Sequence, residues 1–549
     1  MLAAGTEATG TRDEGVPASA GVPKRALAAD GYMLGVAAIA VGLGAFLLLR
    51  LHALPPHEDE TLAFFVSRGS LGDMLETVLG ERGGAPLHYL LAYLAGLADP
   101  GLTSLRLISV AFAVASVPVV AALVARLSDR RTALLATFVT AVSWTLLYHA
   151  LYGRMYTVFL FTATLSLLLL LRALETGGRG RWVAWAAATL ALLATQPYGV
   201  LVLGAEIVYV GLLRARRPLA LRTPLIALAA VVVLAAPLGR TYALLASRFE
   251  VGVGEGSSEL GSPLDVVEYL WEVFGDFMAG ALIVSVPFAL IATLGLVALA
   301  RSRPEAAILT GTVVLVPALA LLVAGSGPGV SLETRHLIFV LPFAGMAIAA
   351  GILRLGSAGG WVGPGIVAAL VGFLAVSQVG WGLERTRWLY TGEPAERAEG
   401  RDAAASWLVE RARADDVLFG YEPTYLDAWE RGAPFGEIFV PRADPKLALD
   451  ALDEAGEPLG HGVWVLDASD YLDQDDPPLT IPNASPGGEF EAAAFGPFLV
   501  VRTREPTQTP EGFLEATLQV QELAAELGVG DANRNALTAQ EALEELRGG

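Results

Sequence analysis

The chain has 549 residues, 54% hydrophobic and 17% charged, with a net charge of −19 and no cysteine. Disulfides, thiolate catalysis and cysteine metal sites are thereby excluded, and the acidic balance argues against nucleic acid as a partner, because phosphate-binding proteins concentrate positive charge. A mean hydropathy of +0.54, with apolar runs recurring along the chain, predicts a polytopic α-helical membrane protein, since a run of about 20 residues crosses a hydrocarbon core as a helix.

Residues 1–29, rich in Ala, Gly, Thr and Glu, have no apolar periodicity and read as a disordered lead. The run at 31–54 is too long for a signal-peptide core and lacks a convincing small-residue cleavage site, so it reads as a retained first span. PPHEDETLAFF (55–65) follows at once, setting His57, Glu58, Asp59 and Glu60 side by side in a first loop over 55–100. In that loop PLHYLLAYLAGLA (86–98) is too short to cross and reads as an interfacial helix. Further apolar runs lie at 103–125, 132–151, 155–174, 182–195, 198–213, 224–246, 276–300, 306–325, 336–353 and 361–382, making about eleven spans.

Arginine gives the sidedness. Lys24, Arg25, Arg126, Arg130, Arg131, Arg172, Arg179, Arg181, Arg214, Arg216, Arg217, Arg222, Arg301, Arg303 and Arg354 all fall on one side, the cytoplasmic one by the positive-inside rule. The opposite loops are acidic or rich in Gly and Pro, among them PPHEDE, EVGVGEGSSELGSPLD and GSGPGVSLE. A plasma-membrane protein with a cytoplasmic N-terminus is expected, its first loop and C-terminal region outside. In that region 391–505 reads as a small α/β domain: an amphipathic helix precedes the strand candidates DDVLFG, HGVWVLDAS and FGPFLVVRT. Residues 506–549 read as a helical extension. There is no short repeat, P-loop or dinucleotide fingerprint.

Four polar sets lie at outer span ends: Glu58-Asp59-Glu60; Arg154 in YGRMY; Arg335-His336 in LETRHLIFVLPF; and Arg106. Singly, the acids read as a solvated loop and the arginines as snorkelling anchors. Together, carboxylates that can serve as general base and arginines that can grip a phosphate suit sugar transfer from a lipid-linked phosphate. No closed metal-ligand set is visible. His57, Glu58 and Asp59 could hold a divalent cation, though loop acids usually do not.

The chain resembles the GT-C class of bacterial membrane glycosyltransferases, in the dolichyl-phosphate-mannose protein mannosyltransferase-like group that includes the lipid A aminoarabinose transferases. The resemblance runs in order along 31 to about 390, through Asp59-Glu60, SLGDML, APLHYLLAYLAGL, LRLISVAFAVASVPVVAAL, GRMYTVFLF, TQPYGVLVL and TRHLIFVLPF. It implies a GT-C fold, a catalytic aspartate at Asp59 with Glu60 as its acidic neighbour, and interfacial helices over the active site. It further implies basic residues at Arg154 and Arg335 meeting the carrier phosphate, with His336, Arg106, His88 and Tyr156 as further substrate contacts. The implied donor is a polyprenyl-phosphate sugar and the outcome inversion at the anomeric carbon, with a protein, lipid or glycan acceptor. Three departures bear on substrate identity. Gly84-Ala85-Pro86 stands for His-Pro-Pro, Leu151-Tyr152-Gly153 for Gln-Glu-Ala, and His336 for a usual Tyr. The competing readings are a transporter or flippase of a lipid-linked saccharide, which predicts ionisable residues near the midplane where Glu206 is the main candidate, and a membrane anchor for the C-terminal region.

Overall fold

A computed structural model of the chain describes residues 24–84, 86–249, 262–324, 333–357, 362–436, 438–442, 444–469 and 480–548. The lead expected to be disordered lies outside these up to residue 23, as do the loops at 250–261 and 325–332.

The first apolar run forms α1 (Lys24–Leu49). The loop after it folds into α2 (Glu58–Arg68), α3 (Leu71–Glu76), a π-helical turn (Thr77–Glu81) and α4 (Pro86–Gly96). Next come α5 (Leu102–Leu127), α6 (Arg130–Val142), α7 (Trp144–Ala150), α8 (Tyr156–Thr176), α9 (Arg179–Thr195), α10 (Gly199–Arg216) and α11 (Arg222–Phe249). The membrane part ends with α12 (Pro263–Phe277), α13 (Leu282–Ser302), α14 (Pro304–Ala324), a 3-10 turn (Thr334–Val340) that runs into α15 (Leu341–Leu355), and α16 (Val362–Arg385).

Every predicted run is helical, and the runs differ in how well they meet the length and hydropathy of a span. Among the described residues eight helices are long and apolar enough to cross, or nine if α6 and α7, bent by 55°, form one span. The remaining two are weaker: α9 has only 17 residues, and α10 carries Glu206, Arg214 and Arg216 within its 18. Because these two are consecutive, setting both aside leaves the side of every later helix unchanged. The run expected at 276–300 is also broken: α12 stops at Phe277, and Ala279 (φ 70°) and Gly280 (φ 43°) turn the chain before α13. Helices α13 and α15 cross backbone to backbone. A Cβ on Gly295 would stand 1.9 Å from the Ala347 carbonyl oxygen, and one on Gly351 2.0 Å from that of Ile291, the close approach that small residues permit between membrane helices.

Beyond α17 (Trp388–Thr391) and α18 (Ala395–Arg411) comes an α/β domain. Its elements are β1 (Val417–Phe419), α19 (Pro423–Glu430), β2 (Phe439–Val440), α20 (Pro445–Ala455), β3 (Gly462–Asp467), β4 (Phe490–Phe495), β5 (Phe498–Thr503), α21 (Pro510–Glu526) and α22 (Ala532–Gly548). The sheet order is β2-β1-β3-β5-β4, with the first three strands parallel and β5 antiparallel to both neighbours. Side chains alternate across β3 with the period of two that a strand imposes. Trp464 and Leu466 enter one core, and Val463 and Val465 the other.

The Trp464 face is covered by α20, α21 and α22, with Phe513 stacked on Trp464 at 5.4 Å. The segment expected as an extension at 506–549 is thus a layer of the domain itself. The opposite face reaches the first loop: Phe65 packs on Phe439 at 4.3 Å and Phe64 on Trp429 at 4.8 Å. The Leu102 N–H donates to Glu430 Oε1 at 3.2 Å. The domain therefore sits on α2, beside the acidic run.

Candidate active site

The acidic run is the first turn of α2, and the turn is fixed by its own cap. His57 Nδ1 accepts the Asp59 N–H at 3.0 Å, and Glu60 Oε2 accepts the His57 N–H at 3.0 Å, a reciprocal capping arrangement. Three acids at a helix N-terminus also favour the positive end of the helix dipole. Successive helical residues point about 100° apart, so the three carboxylates leave the helix in three directions and meet three arginines.

Glu60 meets Arg106. Both are fully buried, and the pair is bidentate, with Nε to Oε1 and Nη2 to Oε2 each at 2.9 Å. Glu60 Oε1 also accepts the Gly153 N–H at 2.6 Å. Arg106 gives its remaining protons to the carbonyls of Leu51, Leu54 and Pro55 at 2.9–3.0 Å, which exhausts the five donors of a guanidinium. This corrects two expectations: Glu60 does not face an acceptor and Arg106 does not face a phosphate, because each is saturated inside the protein. Together they fasten the end of α1 to α2 and α5. The departure at Gly153 has its reason here, since a Cβ there would stand 2.7 Å from Leu105 Cβ and 3.3 Å from Glu60 Oε1.

Asp59 meets Arg154 at 2.5 Å, and its side chain keeps 37% exposure against 12% for the arginine. Burial pushes the Asp59 carboxyl up, but Arg154, His57, Arg335 and Arg82 outweigh it and bring it down to about 2. On the Arg154 guanidinium burial is the largest single influence and acts downward, but Asp59, Tyr156, Glu333 and Tyr148 together outweigh it, leaving the group raised.

The Arg154 guanidinium lies 5.2 Å from the Tyr156 ring centroid, and that of Arg335 lies 5.3 Å from the same ring. Tyr156 is thus the surface on which two cations from distant parts of the chain converge. Arg335 pairs with Glu333, while its Nε is buried with no hydrogen-bond partner among the described residues. His336 accepts the Glu333 N–H through Nδ1 at 3.1 Å and stacks on Tyr198 at 4.5 Å. The turn that carries both is clamped from behind. Thr334 Oγ1 donates to Asp276 Oδ2 at 2.6 Å, Trp381 Nε1 to Asp276 Oδ1 at 3.2 Å, and the Tyr269 hydroxyl to the Glu333 carbonyl at 3.0 Å. Burial pushes the Asp276 carboxyl up, against the pull of Thr334 and Arg385.

His88, expected as a substrate contact, is buried on α4 against the Gly153 backbone, with Nδ1 unpartnered among the described residues. Burial first, then Arg154, holds its pKa down to about 4, so the ring is neutral at neutral pH. It supports the Arg154 loop from within rather than lining the exposed carboxylates.

Glu58 points to the C-terminal domain. Arg442 lies between Glu58 at 3.2 Å and Glu422 at 2.5 Å, and the Tyr421 N–H reaches Glu58 Oε1 at 3.4 Å. Arg82 donates to the Tyr421 hydroxyl at 2.5 Å and lies over its ring. Glu422 and Arg442 follow the parallel strands β1 and β2 directly, the edge at which open α/β sheets present functional groups. That rule could have drawn attention to them in the sequence; that they meet Glu58 could not have been read there. Glu333, Asp276 and His149 were missed as well, His149 lying 4.8 Å from Tyr156. The signal for Glu333 was its place two residues before Arg335.

The three residues that could have shared a cation diverge: His57 caps α2, Glu58 goes to Arg442 and Asp59 to Arg154. Among the described residues no group of three His, Asp or Glu is placed to hold a metal ion.

Residues 85–239 match the family model of dolichyl-phosphate-mannose-protein mannosyltransferases. ArnT from Cupriavidus metallidurans in the apo state superposes with a TM-score of 0.56 at 16% identity, covering 86% of this chain and 98% of its own. The same protein bound to undecaprenyl phosphate gives 0.54 at 16% identity, over 86% and 98%. No curated protein matches the chain in sequence. The fold is the GT-C fold of ArnT, over nearly the whole length of that protein.

Proposed function

We propose that this chain is an integral membrane glycosyltransferase that moves a sugar from a polyprenyl-phosphate donor to an acceptor on the extracytoplasmic face. One observation carries the reading: two guanidinium groups converge on the Tyr156 ring, and one of them holds the partly exposed Asp59. A phosphate and a nucleophile need such groups side by side. The match to the mannosyltransferase model and the undecaprenyl phosphate bound by ArnT support the donor class. The arginine bias of the loops supports a cytoplasmic N-terminus.

In this mechanism the resting Asp59 is a weak base, because Arg154 stabilises its charged form. A donor phosphate entering between Arg154 and Arg335 competes for Arg154 through charge-assisted hydrogen bonds. Asp59 is thereby released, and its basicity rises as the donor becomes ready. The acceptor hydroxyl or amine then attacks the anomeric carbon and passes its proton to Asp59, while the bond from that carbon to the phosphate oxygen breaks with inversion. The departing polyprenyl phosphate keeps the bonding electrons, held by Arg154 and Arg335. Glu206, the carboxylate on which a transport reading would rest, is held by Ser166 and the Trp185 indole.

The test is transfer of radiolabelled sugar from polyprenyl-phosphate donors in membranes carrying wild type or Asp59→Asn at matched expression. Wild type transfers, and the variant loses at least about a hundredfold, the lower range for removing a general base. Equal activity in the two would sink the assignment of Asp59.

A further inference from the structure

Helix α10 joins two ends of the molecule. Gly199 follows Tyr198, which stacks on His336 at the candidate site. Arg214, fifteen residues on, lies about 22 Å farther along the helix at 1.5 Å per residue. At that far end α8, α9, α10 and α11 enclose a cavity of about 200 Å³.

Its chemistry is one-sided. Trp182 and Trp185 of α9, Val210 of α10 and Leu228 of α11 contribute to apolar walls. The one carboxylate in the wall, Glu206, has both oxygens occupied, by Ser166 Oγ at 2.8 Å and Trp185 Nε1 at 3.0 Å. With Glu206 turned to Ser166 and Trp185, the rest of the interior wall is apolar, a lining that favours a hydrocarbon occupant. Two lining residues, Ile207 at 46% and Leu225 at 57% exposure, face outward on neighbouring helices, so the space opens toward hydrocarbon. At its edge stands Arg214, exposed and without an ion pair or hydrogen bond among the described residues. Arg217, three residues on, is by contrast paired with Glu305.

We propose that this cavity holds one acyl chain of an anionic phospholipid from the leaflet opposite the Asp59 site, with the lipid phosphate on Arg214. A mainly apolar slot with one arginine in its lining, unpaired among the described residues, matches an amphiphile with an apolar tail and an anionic head. An arginine at a leaflet surface is drawn to anionic lipid in the same way. The prenyl phosphate of a donor would instead place its charge at the opposite end of α10.

The purified full-length chain, stripped of lipid in detergent, is titrated with phosphatidylglycerol or phosphatidylcholine of the same acyl composition and followed by native mass spectrometry. Wild type retains phosphatidylglycerol in preference. Arg214→Gln lowers that retention about tenfold, the loss expected for one charge-assisted contact, and leaves phosphatidylcholine unchanged. Gly211→Phe weakens retention of both lipids, because a Cβ at this lining position meets no atom within 4 Å and the ring enters the cavity. If Gly211→Phe does not fold, the exposed Arg214→Gln decides alone. Equal retention of the two lipids by wild type, indifference to Arg214→Gln, or tighter binding of a polyprenyl phosphate that is lost in Arg214→Gln would each overturn the proposal.

Discussion

Glu60–Arg106 and Asp59–Arg154 are two acid–arginine pairs that start one residue apart on the same helical turn, yet they are opposite kinds of interaction. The first has no exposure on either side and no unused donor on the arginine. The second leaves more than a third of the carboxylate open and shares its arginine with an aromatic ring that already holds another cation. A saturated buried pair can only hold elements together; a pair with open valences can exchange partners. Rotation by one residue on a capped helix is enough to separate the two roles.

The comparison breaks most visibly on stability. Glu60→Ala or Arg106→Ala leaves an uncompensated buried charge and destabilises the protein by about 3–5 kcal/mol. Glu60→Leu with Arg106→Met removes that charge but recovers only part of the loss, because the Leu51, Leu54 and Pro55 carbonyls and the His57 and Gly153 N–H groups lose their partners. Asp59→Asn, on a partly exposed pair, stays within about 1 kcal/mol of wild type. Thermal unfolding in detergent reads all four variants. Comparable losses in Asp59→Asn and Glu60→Ala would erase the distinction.

A finer cut comes from pH. Asp59 is depressed to about 2 from an ordinary 3.8, so the native pair adds stability that is fully present above the unfolded value and lost as pH falls through about 2. In wild type the profile of kcat/KM shows no Asp59 limb above about pH 4. Arg154→Gln removes the largest influence opposing burial, so the Asp59 pKa rises and an acid limb moves up into the measured range. Transfer at neutral pH falls by about tenfold or more, in line with about 1.5–3 kcal/mol for a hydrogen bond to a charged group. An acid limb at the same pH in wild type and variant would mean that Arg154 does not control Asp59.

The sequence carried the large-scale architecture because that architecture is written locally. Apolar runs of span length, arginine-rich loops and the alternation in HGVWVLDAS are each legible without knowing what lies across the fold. What escaped was set by long-range contact. The three-way divergence of Glu58, Asp59 and Glu60 depends on arginines at 442, 154 and 106. The break after Asp276 hides in an apolar stretch, since an Ala-Gly pair with positive φ has no compositional signature there. Strand β2 is two residues long, too short for any periodicity. The helices at 510–548 look like an appendage until Trp464 is seen beneath Phe513.

The third member of the turn gives the smallest effect and the sharpest control. Glu58 is 42% exposed, and its partner Arg442 also holds the buried Glu422. Glu58→Gln therefore costs no more than about 1 kcal/mol, because Arg442 keeps a counter-ion and the exposed half of the pair was already solvated. Transfer by Glu58→Gln stays within about threefold of wild type while Asp59→Asn is inactive, measured in the same membranes. That contrast matters because Glu58 and Asp59 are adjacent, share the same cap and differ mainly in the arginine they face. If Glu58→Gln were as inactive as Asp59→Asn, the acidic run would be acting as a single electrostatic field, and the assignment of one carboxylate to the reaction would fall.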